Sequence, residues 1–151
     1  MSIHQDEKRL FYLMEQAHSR LFKETNRNLK KTVGISVAQS SALFLLEAKP
    51  ELTLGELAKA LNLRQSAITG LIDRMEKNQL LVRKKDSNDG RIIRTELSSK
   101  GRLNLKLAKE QLKLFNQKIN QGYSEPELKV IRRFLIELAN GFPFTNNQVA
   151  E

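Results

Sequence analysis

The sequence predicts a mainly α fold carrying one small β-hairpin (α+β), on three observations. Apolar residues recur at three- and four-residue steps over most of the 151-residue chain. Period-two alternation is confined to one stretch, Val82 to Leu97, interrupted by Asn88-Asp89-Gly90. Three prolines and seven glycines punctuate a chain that is 40% hydrophobic and 28% charged, a globular and helix-rich balance. A single folding unit is expected, because two full domains in 151 residues would each be too small to stabilise well.

The first element is a long amphipathic helix. Leu10, Leu13, Met14, Ala17 and Leu21 keep helical spacing, and the segment ends near Gly34. Ser36 restarts the chain as an N-cap, Gln39 completes a capping box, and Pro50 lies beyond the end of this second helix. Thr53 and Glu56 repeat the device, with Leu52 and Leu57 placed as a hydrophobic staple. After Leu61, Asn62 tolerates the left-handed conformation that a tight turn needs. Ile68, Leu71, Ile72 and Met75 then mark the buried face of a helix over 65–79. Helix, short turn and helix make a helix-turn-helix candidate.

The hairpin follows directly. Val82 starts a strand, Asn88-Asp89-Gly90 supplies turn chemistry, and Ile93 and Leu97 alternate with Arg94 and Glu96 on the return. From Ser99 the chain is helical again, with a heptad seam of Leu105, Ala108, Leu112, Phe115 and Ile119. Ser124, Pro126 and Glu127 open the last helix, where Leu128, Ile131, Leu135 and Leu138 repeat the seam. A flanking row of Leu103, Leu107 and Leu114 exceeds what one neighbouring helix covers, so a further partner is implied. The tail after Phe144 is polar and expected to fray.

Several function classes fall away. The chain has no cysteine, which removes disulfides, thiolate nucleophiles and Cys-based zinc sites. Two histidines, His4 and His18, are too few and too widely spaced for a metal site, and no cofactor is expected. No Ser-His-acid grouping and no phosphate-binding glycine loop argue against an enzyme. The longest apolar run, around Ala42 to Leu46, is too short to cross a bilayer, and "MSIHQDEKRL" is polar rather than a leader. A cytoplasmic protein without a membrane partner is expected. The formal net charge of +9 points to a polyanionic partner.

The placement of charge sharpens that inference. Opposite the buried row of the helix over 65–79 lie Ser66, Thr69, Gly70, Asp73, Arg74 and Lys77, with Gln65 one turn before Thr69. Small polar side chains followed by a cation suit the major groove, where the first turn meets base edges and the later arginine reaches phosphate. The competing reading is an ordinary solvated face. Such a face favours strong helix formers, and Ser66, Thr69 and Gly70 are mediocre ones. Arg83, Lys84, Lys85, Arg91 and Arg94 crowd one short ribbon, and a narrow minor groove attracts a guanidinium carried on a slim turn. Gly90 would permit that turn, and Arg91 just beyond it is the natural probe. Asp89 has two readings: a turn former, or a carboxylate that pairs with Arg74 or Arg91 and holds the hairpin against the helix.

The order helix, helix, "LTLGELAKALNLRQSAITGLIDRMEKNQLLVRKKDSNDGRIIRTELSSKG", then two long helices resembles the MarR family (multiple antibiotic resistance regulators), dimeric winged-helix transcription factors of bacteria and archaea. The resemblance covers nearly the whole chain. Its most specific part is "DGR" at Asp89 to Arg91 followed by "ELSSKG" ending at Gly101, similar to the family's wing signature of Asp-x-Arg, a strand, then Leu-Thr-x-x-Gly. It implies one MarR-like domain over 1–151: an N-terminal dimerisation helix at 5–33, a winged helix-turn-helix DNA-binding lobe at 34–98, and C-terminal dimerisation helices at 99–144.

The resemblance further implies that Arg91 at the tip of the wing, 83–97, enters the minor groove while Asp89 braces the wing through an ion pair. Gln65, Ser66, Ala67 and Thr69 are implied to face the major groove, with Arg74 near the backbone. Two positions depart from the pattern and bear on the target sequence. Arg64 stands where a small N-cap residue is usual, and Gly70 replaces a larger, often basic residue on the DNA-facing side. The outer helices are implied to interlock with a second subunit. A small aromatic or phenolic acid is the implied effector, with His18, Phe22, Ser40 and Phe44 as candidate contacts and core packing as the competing reading for each. The expected function is a homodimeric, sequence-specific repressor of a palindromic double-stranded DNA operator, released by such a ligand. The alternative is a sequence-indifferent DNA-organising winged-helix protein.

Overall fold

The computed structural model describes residues 8–141, so His4 and the tail after Phe144 lie outside the described residues. Its helices and strands run α1 (Leu10–Thr32), α2 (Val37–Ala48), β1 (Leu52–Thr53), α3 (Leu54–Ala60), α4 (Gln65–Lys77), β2 (Leu81–Lys85), β3 (Ile93–Leu97), α5 (Ser99–Asn120) and α6 (Glu125–Ala139).

The capping boxes read from the sequence set three helix starts. Ser36 Oγ accepts from the Gln39 N–H at 3.2 Å, and Gln39 Oε1 accepts from the Ser36 N–H at 2.9 Å. Thr53 and Glu56 exchange the same pair at 3.2 and 2.8 Å. Glu127 accepts from both the hydroxyl and the N–H of Ser124, at 2.6 and 2.7 Å. These bonds hold the Glu56 carboxyl, through the Thr53 N–H first, and the Glu127 carboxyl, through the Ser124 hydroxyl first, below their ordinary range.

Asn62 sits at φ 52° in the turn between α3 and α4, as its residue type suggests. Gln79 also adopts a left-handed φ of 61°, and closes α4 with bonds from the Gln79 N–H to Glu76 O and the Leu80 N–H to Met75 O, both 2.8 Å. The helix therefore ends at Lys77 rather than filling 65–79.

The strands form one antiparallel sheet in the order β1-β3-β2. In the hairpin Leu81 faces Leu97 and Lys85 faces Ile93, while Leu52 of β1 faces Thr95. Sequence patterning missed β1, because two residues show no alternation. The fully buried Thr95 secures it by donating its hydroxyl to Leu52 O at 2.9 Å.

Two compact units emerge, one reaching Lys113 and the other starting at Leu114. The first is built on Leu43 and Leu46 of α2, Leu57 of α3, Ile68, Ile72 and Met75 of α4, and Leu80 and Leu81, joined by Leu29 of α1 and Leu105 of α5. Each such side chain contributes about 1.5–3 kcal/mol of burial. The division falls inside α5, whose Gly101, Leu105 and Ala108 are buried in the first unit. Gly101 is required there: a Cβ on it would stand 1.9 Å from Leu80 O. In the second unit, the end of α5 leads through Gly122 (φ 90°) into α6. No residue of α6 is buried, and Val130, Ile131, Phe134, Leu135 and Ile136 lie exposed.

Candidate nucleic-acid interface

α3, its turn and α4 form a helix-turn-helix in which Ile68, Leu71, Ile72 and Met75 anchor α4 and leave its other face outward. Arg64, Gln65, Ser66, Ala67, Thr69 and Arg74 are exposed, and Gly70 is partly so. Arg64 is the N-cap, and its side chain makes no capping bond. The first N–H groups of α4 thus point outward without a side-chain partner, at the positive end of a helix with no acid in its first turn. Thr69 turns its hydroxyl back onto Gln65 O at 2.9 Å and so offers its methyl and lone pairs outward.

The wing tip is organised by a residue the sequence reading passed over. Asp86 Oδ1 accepts from the N–H groups of Asn88 and Asp89 at 2.8 and 3.1 Å, while its Oδ2 accepts from Arg94 Nε. The Arg94 guanidinium first, then those two N–H groups, hold the Asp86 carboxyl down at about 2. Arg94 is correspondingly raised, and also donates to Glu51 O at 3.1 Å. Asp86 closes onto the Ile92 carbonyl at 2.9 Å, which makes the tip a seven-residue loop and not a tight Asn-Asp-Gly turn. Gly90 has no left-handed φ, and a Cβ there would meet nothing within 4 Å, so the steric need expected of it is absent.

Asp89 stays within the tip. Its Oδ1 accepts from the Arg91 N–H at 3.0 Å and lies 3.5 Å from Arg91 Nε. It does not bridge to α4; Arg83 does, pairing with Asp73 and standing with Nε 3.4 Å from Glu76 Oε2. Three of the five hairpin cations are therefore engaged by acids outside the tip turn or across the ribbon: Arg83 with Asp73, Lys84 with Glu96, and Arg94 with Asp86. The Lys84 ammonium is also the first cause lowering the Glu96 carboxyl. Lys85 is exposed without an ion pair among the described residues, and the Arg91 side chain is 95% exposed. Asp86 carries a sequence signal, an Asx residue two before Asn88 in a loop. The Arg83 bridge carries none.

The candidate effector residues divide between two helices. His18 and Phe22 are exposed on α1 with ring centroids 6.1 Å apart. On α2, Ser40 is buried with no hydrogen bond to its hydroxyl, and Phe44 lies 5.9 Å below Lys109 Nζ. None of the four lines the 510 Å³ cleft between α2, β1 and α3 around Leu45, Leu52 and Ala60. Among the described residues no His, Asp and Glu cluster could hold a metal ion, and no helix is long and apolar enough to cross a membrane.

A helix-turn-helix followed by a two-stranded wing, whose return strand also pairs with β1 ahead of α3, defines the winged-helix class of DNA-binding proteins. The MarR family model matches residues 35–93, the helix-turn-helix and most of the wing. The transcriptional regulator AdcR of Streptococcus pneumoniae is 34% identical over 112 residues, spanning 70% of this chain and 74% of that protein. Among solved structures, the transcriptional repressor CouR bound to a 23-mer DNA duplex superposes with a TM-score of 0.81 at 24% identity, covering 92% of this chain and 99% of that one. BpsR of Bordetella bronchiseptica, solved in a study of its regulation by 6-hydroxynicotinic acid, gives 0.77 at 21%, covering 93% and 99%. The chain belongs to the MarR family of winged-helix transcriptional regulators. Its relatives are regulators and not enzymes.

Proposed function

We propose that this regulator is a cytoplasmic homodimeric repressor that sets α4 of each subunit in successive major grooves of a palindromic operator and the wing tip in the flanking minor groove. The observation that carries it is the adjacency of two free elements: the outward, uncapped face of α4 and a wing whose Arg91 is 95% exposed. Gln65, Ser66, Ala67 and Thr69 face bases, Arg64 and Lys85 reach phosphates, and Arg91 probes the minor groove. Arg83, Lys84 and Arg94 act from behind, holding the ribbon in place through their acid partners. CouR, whose fold this chain shares, was solved on a duplex.

Dimerisation is supported by α6, where Val130, Ile131, Phe134, Leu135 and Ile136 lie exposed. An obligate interface resembles a core cut in half. Release by a small aromatic acid is supported by the unpartnered Ser40 hydroxyl beside Phe44 on α2, and by the regulation of BpsR by 6-hydroxynicotinic acid. A ligand that fits one spacing of the two lobes better than the other shifts the population away from DNA.

The test is competition between duplex from the chain's own upstream region and random duplex at near-physiological salt. A preference of about a thousandfold, saturating at two chains per site, is the expected result. Equal affinity with a steep salt dependence would instead make the protein a sequence-indifferent DNA organiser.

A further inference from the structure

We infer that Arg74 is a specificity-determining residue that reads a guanine edge in the major groove, in the space that Gly70 leaves open. This rests on the reading of α4 as the recognition helix. Helical side chains lean towards the N-terminus, and Arg74 follows that rule closely. Its Nη1 lies 3.3 Å from where a Cβ on Gly70 would stand, and apart from the neighbouring residues and the backbone of α4 itself no other atom comes within 4 Å of that point. The guanidinium is thereby laid one turn back along the helix, level with the residues facing the bases, rather than held at the C-terminal end where phosphate contacts fall.

No carboxylate competes for it. Asp73 and Glu76 are the acids of α4, and both are turned to Arg83 across the hairpin. Arg74 is exposed and has no ion pair among the described residues. A planar fork of N–H donors, unclaimed and lying along a groove-facing helix, matches the O6 and N7 acceptors of guanine. Gly70 weakens the helix, and its φ is not left-handed, so no backbone need accounts for it. Room for the guanidinium does.

The experiment measures binding of the full chain to its operator and to every single-base-pair variant of it, for wild type, Arg74→Lys and Gly70→Leu. Lysine keeps the charge but loses the fork. Arg74→Lys should lose about 5- to 150-fold of discrimination at one G·C pair per half-site, with affinity for random duplex and the salt slope unchanged. Gly70→Leu, which displaces the guanidinium without touching its charge, should lose discrimination at the same pair. Arg74→Lys with every preference intact overturns the assignment and makes Arg74 a phosphate contact. A wild-type chain with no base preference anywhere overturns the operator-binding reading itself, and this assignment with it.

Discussion

Arg83 of β2 pairs with Asp73 of α4, so that one guanidinium ties that helix to the wing. The same group stands 3.4 Å from Glu76, and its side chain is only 27% exposed. A pair like this one, with its acid exposed and its arginine partly so, adds little to stability, about 0–1 kcal/mol. Its weight is electrostatic: without Arg83, Asp73 and Glu76 are left uncompensated on the exposed side of α4, which under the proposed binding mode repels phosphate. Arg83→Ala should weaken operator binding by about tenfold or more while the melting temperature falls by only a few degrees. Adding Asp73→Asn and Glu76→Gln should restore most of the loss in a fluorescence anisotropy titration. Failure of that rescue would make Arg83 a direct DNA contact.

Asp86 sets a second expectation, in acid. Its carboxyl is held at about 2, below its ordinary value, by Arg94 and by the N–H groups of Asn88 and Asp89. A depressed folded-state value means that the contribution is complete above the unfolded value, about 4, and is lost as pH falls from there towards about 2. Calorimetry of wild type and Asp86→Asn from pH 6 downwards should show the wild-type advantage shrinking across that window until the two curves meet. Curves that stay parallel would mean that Asp86 does not brace the tip.

How far this site could be read in advance depends on the range of each interaction. Ser36 with Gln39, Thr53 with Glu56 and Ser124 with Glu127 are three residues apart, and the helix starts follow from the residues themselves. Ile68, Leu71, Ile72 and Met75 declare their face by spacing alone. The allocation of cations is different in kind. Arg83, Lys84, Lys85, Arg91 and Arg94 look equivalent in the chain, and only the register of β2 on β3 and the packing of β2 on α4 decide which meet carboxylates. The left-handed Glu51 and Gln79 were equally silent, because neither residue type signals that conformation.

Glycine substitutions separate close packing from open space. Gly101→Ala drives a Cβ to 1.9 Å from Leu80 O, which is backbone and must move. The expected cost is about 1–3 kcal/mol, a fall of roughly 2–12 °C in melting temperature. Gly55→Ala, with nothing within 4 Å, should leave stability unchanged or raise it by up to about 1 kcal/mol. Thermal melts of the two variants side by side check both.

The exposed face of α6 gives a test of assembly. Leu135 is 51% exposed and Ile131 39% exposed in the single chain. Ile131→Glu with Leu135→Glu should convert a dimer of twice 17.3 kDa into a monomer of 17.3 kDa in sedimentation equilibrium. The helix content should be largely kept, since no residue of α6 is buried within its own chain. A dimer that survives both charges would place the interface elsewhere.

At the foot of the wing, the Leu80 carbonyl accepts from the Ser98 N–H at 3.2 Å and lies against Gly101. Ser98 Oγ donates to Gln79 O at 2.5 Å and accepts from the Gly101 N–H at 2.9 Å. The end of α4, both ribbon strands and the first turn of α5 are thus fastened at one closely packed backbone junction. Helix and ribbon are anchored there to the same three backbone groups, Gln79 O, Leu80 O and the Gly101 N–H, so a shift of one at this junction carries the other with it.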